Sequence, residues 1–322
     1  MENFKAMENM KRLETLCIAG AVAVLAVSCG KEEAVREDGA SKVEFTASEL
    51  QVKTVFGEKA DGEYPVLWTS NEKVALFYNS QTGGQTGGGQ YADVLPSADG
   101  HTAGFSASFT DDGNGSHSFY AMSPLSALNW MGNEDWDGNG VNEKILYANI
   151  PHDQIPVPGT CDEKAQIVFA KEEFSEFPDK VDLTFSHMTA YGLITSLSLP
   201  EEATEIVGLT IESDKFLSGE IYCNYNTPET ILCNAKKAQK YIYLDVNNGG
   251  LKAKTLENVF FACTPQTDGN DVFGEGDYLK FTVYTDTDTW VKTVNFSADR
   301  TLAFKAGRIS SFSVSAHGFE KQ

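Results

Sequence analysis

Positive charge is what this sequence most obviously lacks. Its 322 residues contain 25 lysines and arginines against 46 aspartates and glutamates, which gives a net charge of −21. The first 28 residues carry three acids and three bases, so the whole acidic excess lies beyond them. Such a chain repels phosphate backbones, and we therefore exclude a nucleic acid partner. The same charge suits a protein surface that must resist self-association.

Catalytic signatures are also lacking. The five histidines form no His-Glu-x-x-His motif, and neither Gly-x-Ser-x-Gly nor Gly-x-Gly-x-x-Gly occurs. His187 lies in an alternating strand pattern, so we interpret it as a structural side chain rather than a base. Adjacent carboxylates such as Glu201 and Glu202 are common in so acidic a chain and do not indicate a glycosidase. The sequence is therefore predicted to be non-enzymatic, and a hydrolase is the least favoured alternative.

Long apolar runs are absent, with one short exception near the start. The run from Leu16 to Val27 follows a basic segment and is shorter than the roughly 20 residues of a membrane-spanning helix. It is typical of a secretory signal peptide, here residues 1–28. Cys29 follows a small residue, as in a bacterial lipobox, so we expect cleavage before Cys29 and acylation of its thiol and new N-terminus. Several acyl chains hold a protein durably on a membrane.

The segment that follows the lipidation site has few apolar residues. Residues 29–41 are polar and charged and contain no aromatic residue, which predicts a disordered tether. The acids after Cys29 resemble the signal that sends some Gram-negative lipoproteins to the cell surface. The expected location is therefore the outer membrane, with the protein lipid-anchored and exposed outside. The alternative is an ordinary cleaved signal with a chance cysteine.

Cysteine is sparse in the rest of the chain. The remaining residues are Cys161, Cys223, Cys233 and Cys263, and their spacing fits no zinc site. Two disulfides are allowed in an exported protein, and Cys223 and Cys233 are placed to face each other across a hairpin. Because an unpaired cysteine is a common small core residue, buried thiols are the favoured interpretation.

Helical periodicity over three turns is missing, whereas short strand patterns are frequent. Residues alternate between apolar and polar along Tyr278–Tyr284, which indicates a strand with one buried and one solvent-exposed face. Similar runs recur along residues 42–316 with turn signals between them, so the chain is predicted to be all-β, as a sandwich or barrel. Only Ala170–Phe174 and Asn234–Gln239 are interpreted as single helical turns.

Several segments in this order resemble the fimbrillin family of Gram-negative anaerobes, including its Mfa-like lipoproteins. These segments are Val43–Ala47, Val66–Phe77, Ser118–Pro124, Ile150–Gln154, Ile167–Ala170, Leu183–Ala190, Ile206–Ile211, Leu217–Gly219 and Phe304–Arg308. The resemblance implies two tandem transthyretin-like β-sandwich domains, which we place at residues 42–180 and 181–322. It also implies a fimbrial role as stalk, tip or anchor, with neighbouring subunits joined by β-strand exchange.

The distribution of arginine bears on that role. In the family's stalk subunits an Arg-specific protease removes the first strand and opens a groove for a neighbour. The four arginines here are Arg12, Arg36, Arg300 and Arg308, and none lies in the first strands, residues 43–56. Cleavage at Arg36 would remove the lipid and keep the strand. We therefore expect an anchor, tip or accessory subunit, with a non-polymerising surface lipoprotein that binds a glycan or host protein as the alternative.

Two local features are candidate binding sites. Asp135, Asp137, Asn139 and Glu143 place oxygens at positions 1, 3, 5 and 9 of a loop that resembles the start of an EF-type calcium site, although Leu146 stands where a bidentate Glu is expected. The alternative is a polar hairpin turn rich in Asp-Gly and Asn-Gly. Trp130 and Trp136 are candidates for stacking on a sugar or an apolar partner, or for fixing the loop to the sandwich.

Overall fold

A computed structural model describes residues 40–47, 67–70, 73–80, 89–111, 113, 115–135, 140, 142–266, 272–299 and 301–322. The signal peptide, Cys29, Trp136, Asp137 and Asn139 lie outside these residues. The described residues belong to one compact unit, Asp38–Gln322. Among them, no helix has the length and apolar character required to span a membrane.

Almost every regular element in the described part of the chain is a strand. Two short 3₁₀ helices, Leu125–Ala127 and Glu163–Ala165, accompany the strands. The strands are β1 (Ala40–Ala47), β2 (Lys73–Ser80), β3 (Gln90–Asp93), β4 (Leu95–Pro96), β5 (Ala103–Thr110), β6 (His117–Ser123), β7 (Leu128–Glu134), β8 (Glu143–Ile150), β9 (Asp153–Gln154), β10 (Val168–Phe174), β11 (Lys180–Leu183), β12 (Phe185–His187), β13 (Ala190–Ser198), β14 (Ile206–Ser213), β15 (Ser218–Asn224), β16 (Leu232–Gln239), β17 (Tyr241–Leu244), β18 (Thr255–Cys263), β19 (Tyr278–Thr285), β20 (Thr289–Asn295), β21 (Ile309–Val314) and β22 (Glu320–Lys321). The all-β prediction is confirmed.

Two sheets form the first sandwich. Their strand orders are β11-β1-β5-β4 and β12-β10-β6-β2-β3. Alternate apolar side chains of both sheets meet in one core, where Phe45 packs against Phe105, Phe109 and Phe119 at ring-centroid distances of 5.7, 6.2 and 5.8 Å. Each fully buried Phe contributes about 2–3 kcal/mol from removal of apolar surface from water. This aromatic cluster fixes the two sheets against each other.

The second sandwich has unequal sheets. Their strand orders are β18-β13-β21 and β22-β20-β19-β14-β17-β9. The core between them contains Phe261, Phe273, Phe281 and Phe304, all buried. The alternation predicted for Tyr278–Tyr284 is present in β19, where Leu279, Phe281 and Val283 point into this core. The prediction of two sandwiches is thus confirmed.

A fifth sheet, four-stranded with the order β16-β15-β8-β7, was not predicted. Because it forms a third layer on the first sandwich, we call it the third sheet. Its inner face carries Leu146, Ala148 and Ile221, which pack with Tyr120 and Phe169 on the outer face of the sheet that contains β6 and β10. Both faces of β6 are therefore covered, which explains why residues 119–122 are all buried. Because β7 and β8 come from the first half of the chain and β15 and β16 from the second, the third sheet joins the two halves.

Some boundaries and elements differ from the sequence predictions. The boundary at 180/181 falls inside β11, which pairs with β1, so the strands of the first sandwich extend to His187. The strand β1 begins at Ala40, two residues inside the predicted tether. The helical turns predicted at Ala170–Phe174 and Asn234–Gln239 are wrong, because the first lies in β10 and the second in β16. Cross-strand pairing outweighed local propensity in both segments.

Candidate functional site

An aromatic row crosses the outer face of the third sheet. Trp130 on β7 is directly opposite Tyr147 on β8, and Tyr147 is directly opposite Tyr222 on β15. The ring centroids of Trp130 and Tyr147 are 6.0 Å apart, and those of Tyr147 and Tyr222 are 5.6 Å apart. Trp130 is 42% exposed. The three rings therefore form a continuous apolar strip on a surface that is otherwise polar.

Local backbone features set the orientation of Trp130. The register between β7 and β8 shifts between Leu128 and Trp130, so Asn129 is an extra residue on β7. Such a bulge re-aims side chains, and Asn129 and Trp130 are both exposed. A side chain at Gly132, two residues further along the same face, would collide with the indole of Trp130. The absence of that side chain lets the indole lie close to the strand.

A buried carboxylate lies beside the aromatic row. Glu220 on β15 is 3% exposed, and one of its oxygens accepts a hydrogen bond from Asn129 Nδ2 at 2.7 Å while the other accepts one from Asn234 Nδ2 at 2.7 Å. Lys237 Nζ lies 3.0 Å from each carboxylate oxygen. We call Glu220 and these three partners the Glu220 cluster. A buried carboxylate is tolerated only when it is paired in this way.

A second bulge positions two members of the Glu220 cluster. On β15 and β16, Gly219 pairs with Ala238 and Ile221 pairs with Cys233. Glu220 alone on β15 is therefore opposite four residues of β16, from Asn234 to Lys237. The extra length of β16 folds back over the sheet, and the Lys237 ammonium lies 6.0 Å from the centre of the Tyr147 ring.

These residues line an open groove of about 1020 Å³. Its wall contains the aromatic row, the Glu220 cluster, Glu134 and Lys236. The charged side chains in the wall are Glu134 and Glu220 against Lys236 and Lys237, so the groove carries no net charge on a chain whose total is −21.

Burial, followed by a hydrogen bond to Glu134 and the charge of Glu134, raises the pKa of Tyr147 to about 12. Burial also raises the pKa of Tyr222, so both phenols are neutral at physiological pH.

The candidate calcium loop connects β7 to β8 at one end of this sheet. Asp135 Oδ2 accepts a hydrogen bond from the backbone N–H of Gly140 at 3.0 Å, and Glu143 is directly opposite Glu134 in the ladder. Asp137 and Asn139 lie outside the described residues. In the part of the chain that the structure describes, no three His, Cys, Asp or Glu side chains are grouped to hold a metal ion. Calcium binding by this loop stays a prediction.

Two buried histidines have structural partners. His117 Nδ1 is 2.7 Å from the Tyr78 hydroxyl, and His187 Nδ1 is 2.8 Å from the Tyr191 hydroxyl. Thr189 Oγ1 donates a further hydrogen bond to the Tyr191 oxygen at 3.0 Å. Burial lowers the pKa of His187 to about 4, so its ring is neutral at physiological pH. This geometry supports the structural interpretation of His187.

The cysteines do not form the pair considered for a hairpin. Cys161, Cys223 and Cys263 are buried free thiols, as favoured from the sequence. Cys223 is opposite Leu146, and Cys233 is opposite Ile221. Burial raises the pKa of Cys223 to about 12 and that of Cys161 and Cys263 well above the usual range. These three thiols are therefore protonated and unreactive at neutral pH.

The first strand occupies a central place in its sheet. β1 is antiparallel to β5 over eight register pairs and parallel to β11 over four. Its alternate residues Val43, Phe45 and Ala47 are buried in the sandwich core, while Lys42 and Glu44 are exposed. A strand in this position satisfies backbone N–H and C=O groups on both of its neighbours.

Comparisons with known proteins give similar structures and no similar sequence. No family model matches the chain, and no curated protein sequence matches it. The structure is similar to a candidate cell adhesion protein from Bacteroides ovatus, with 11% identity, a TM-score of 0.49, and coverage of 88% of this chain and 95% of that one. A candidate cell adhesion protein from Bacteroides fragilis is 12% identical, with a TM-score of 0.46 and coverage of 88% and 96%.

A fimbrial assembly protein from Parabacteroides distasonis is also similar. It is 10% identical, with a TM-score of 0.41 and coverage of 88% of this chain and 94% of that one. At these identities and TM-scores the similarity extends only to the general arrangement of the strands.

Proposed function

We propose that this chain is a non-enzymatic, fimbrillin-like surface lipoprotein with a structural or adhesive role in a fimbrium. The lipid on Cys29 holds it at the outer membrane, and its partners are other fimbrial subunits and ligands on host or bacterial surfaces. It acts as an anchor, tip or accessory subunit rather than as a stalk subunit. The observation that carries the proposal is the position of β1, which fills the groove between β5 and β11.

The groove that β1 fills has the properties that strand exchange requires. Loss of β1 would leave unpaired backbone groups on β5 and β11 and would uncover the core beneath Val43, Phe45 and Ala47. Only an extended strand with apolar side chains at alternate positions would satisfy both requirements. The sandwich is thus built as a strand receptor that its own first strand keeps closed.

The arginine distribution supports a closed receptor. No arginine occurs between Arg36 and Arg300, so an Arg-specific protease has no site between β1 and the rest of the first sandwich. Cleavage at Arg36 would leave the whole of β1, which begins at Ala40. We infer that β1 stays in place and that the chain contacts neighbouring subunits without opening its own first sandwich.

The experiment compares fimbriae from the native strain with fimbriae from strains that carry a gene deletion or Cys29→Ser. We expect the wild-type protein in the outer-membrane fraction together with attached fimbriae. Cys29→Ser should release the protein and reduce attached fimbriae, whereas the control Cys233→Ser should behave as wild type. Fimbriae of unchanged number, length and attachment in the deletion strain would contradict the fimbrial role.

A second candidate function is a non-polymerising surface lipoprotein that binds a glycan or a host protein. The aromatic row and its groove favour it, because an exposed Trp130 in register with the half-buried Tyr147 and Tyr222 is an unusual feature of an acidic surface. The deletion experiment separates the two candidates, since only the first affects fimbriae.

A further inference from the structure

We propose that the groove on the third sheet is a binding site for neutral, hexose-based oligosaccharides. The site consists of the aromatic row of Trp130, Tyr147 and Tyr222 and the adjacent Glu220 cluster. The inference rests on the proposed surface location of the chain and is independent of strand exchange. It names the class of ligand that an adhesive role would use.

The aromatic row supplies the apolar half of the site. Pyranose rings present a face of C–H groups, and such faces pack on the flat surfaces of aromatic side chains. The row places three rings in register across three neighbouring strands, with centroid separations of 6.0 and 5.6 Å. Those separations are comparable with the length of one pyranose residue. Neighbouring rings are tilted by 48° and 40°, so successive sugars of a twisted chain can pack on successive rings.

The Glu220 cluster supplies the polar half. Sugar hydroxyls need donors and acceptors held in fixed positions beside the stacking surface, as in most small-molecule sites. Asn129 and Asn234 are held by their hydrogen bonds to the buried Glu220 carboxylate, and Lys237 is held by the same carboxylate. The Asn129 amide keeps its oxygen as an acceptor, and the Lys237 ammonium keeps one N–H beyond the two that face the Glu220 oxygens. The oxygen of Asn234 accepts the backbone N–H of Lys236 at 3.2 Å, so Asn234 keeps its second amide N–H. The ordering of these long side chains is thus complete before a ligand arrives, which lowers the entropic cost of binding.

Charge selects among saccharides. The chain as a whole is strongly acidic, and it repels sialylated, sulfated and uronate-rich glycans at long range. Within the groove, two carboxylates are balanced by two ammonium groups. The phenols of Tyr147 and Tyr222 add no charge, since an ordinary tyrosine is protonated at physiological pH and burial raises both pKa values further. A neutral saccharide meets no opposing charge, whereas an acidic one meets the field of the whole molecule.

Two of the four register shifts between the described strands lie at this site. The extra Asn129 on β7 and the extra residues from Asn234 to Lys237 on β16 converge on Glu220. Bulges occur preferentially beside functional sites because they re-aim side chains. A row of aromatic residues that served only cross-strand stability would not require irregular backbone on two separate strands.

The test is titration of the purified protein with neutral hexaoses of glucose, mannose and galactose, with hyaluronan hexasaccharide as the acidic comparison. Binding is followed by tryptophan fluorescence and by calorimetry. We expect at least one neutral hexaose to bind. Trp130→Ala should weaken that binding about tenfold or more, and Trp130→Phe should keep it within about threefold. The matched control is Tyr91→Ala, since Tyr91 is an aromatic residue 64% exposed on another sheet.

A second variant tests the geometry without removing a ring. Gly132→Ala should displace the indole of Trp130 and weaken binding several-fold, while the melting temperature shows that the protein is folded. Absence of binding to every neutral hexaose, preference for hyaluronan, or equal binding by Trp130→Ala and wild type would each overturn the proposal. Capture of a peptide from a peptide array through Trp130, with no hexaose bound, would also overturn it.

The two proposals fail separately. A strain that carries Trp130→Ala should still have attached fimbriae, because Trp130 lies on β7 of the third sheet, whereas β1 belongs to a different sheet of the fold. If the protein binds a hexaose but the deletion strain has normal fimbriae, the fimbrial role alone is contradicted. If the deletion strain loses attached fimbriae but the protein binds no hexaose, the saccharide site alone is contradicted.

Discussion

At the scale of single residues, burial decides the chemical state of the titratable side chains. His187 is 4% exposed, its Nδ1 bonds the Tyr191 hydroxyl, and its Nε2 has no hydrogen-bond partner among the described residues. Protonation of the ring would place a charge in this site without a counter-charge. That cost lowers the pKa of His187 to about 4.

The lowered pKa of His187 predicts a pH-dependent free energy of unfolding. Between pH 6.5 and pH 4 the unfolded chain binds a proton at His187 and the folded chain does not, so stability falls as the pH falls through this window. The full loss is about 3 kcal/mol, and the contribution is fully present above pH 6.5. Urea denaturation at a series of pH values measures it.

His187→Gln is the matched variant, because glutamine keeps polar atoms for Tyr191 and does not titrate. We expect the variant to be less stable at pH 7 and to lose less stability between pH 6.5 and pH 4. If the free energies of unfolding of the wild type and of His187→Gln changed with pH by the same amount, His187 would not titrate as the structure requires.

At the scale of elements, the bulges on β7 and β16 depend on one carboxylate. Glu220 accepts hydrogen bonds from both bulged segments, through Asn129 on one side and Asn234 and Lys237 on the other. Glu220→Gln places an amide donor against these donors and removes the charge that pairs with Lys237. We expect a loss of about 2–4 kcal/mol in unfolding free energy, measured by urea denaturation, and faster amide exchange in β16.

The control for this prediction is Glu212→Gln. Glu212 pairs with Lys280 at 3.1 Å on a half-exposed surface, where ion pairs contribute less than about 1 kcal/mol. A similar small effect for both variants would mean that the Glu220 cluster does not hold the bulges.

The elements differ in how well the sequence predicts them. β19 was predicted because its core and solvent residues alternate without interruption. β16 was missed because its four-residue bulge breaks the two-residue period, and Asn234–Gln239 then has the composition of a helical turn. β11 and β12 are separated by Thr184 alone, and yet they lie in different sheets. A single sequence contains no signal for such a crossing.

The candidate site was predicted only in part. Trp130 was singled out because a tryptophan in a polar segment is conspicuous. Tyr147 and Tyr222 were not, because their alignment with Trp130 depends on pairing between strands far apart in sequence. Glu220 resembles any other carboxylate in so acidic a chain, and only its burial and its three partners distinguish it. Exposed aromatic residues at outward positions of neighbouring strands would have been the usable signal.

At the scale of the whole molecule, the third sheet makes the two sandwiches parts of one unit. β8 pairs with β15 over six positions, which ties residues from both halves of the chain into a single ladder. The aromatic row crosses this junction, from β7 and β8 to β15. A junction that carries the proposed saccharide groove, together with a first strand paired on both sides, agrees with the proposed role of a subunit held at the surface.

The most direct test of this account is the N-terminus of the mature protein from native cells, determined by mass spectrometry. If the protein stays lipid-held with β1 in place, the N-terminal residue is acylated Cys29, and tryptic digestion of the same sample yields the peptide Val43–Lys53. An N-terminus beyond Ala47 would contradict the account. It would show that β1 is removed and that the first sandwich is opened to a neighbouring subunit.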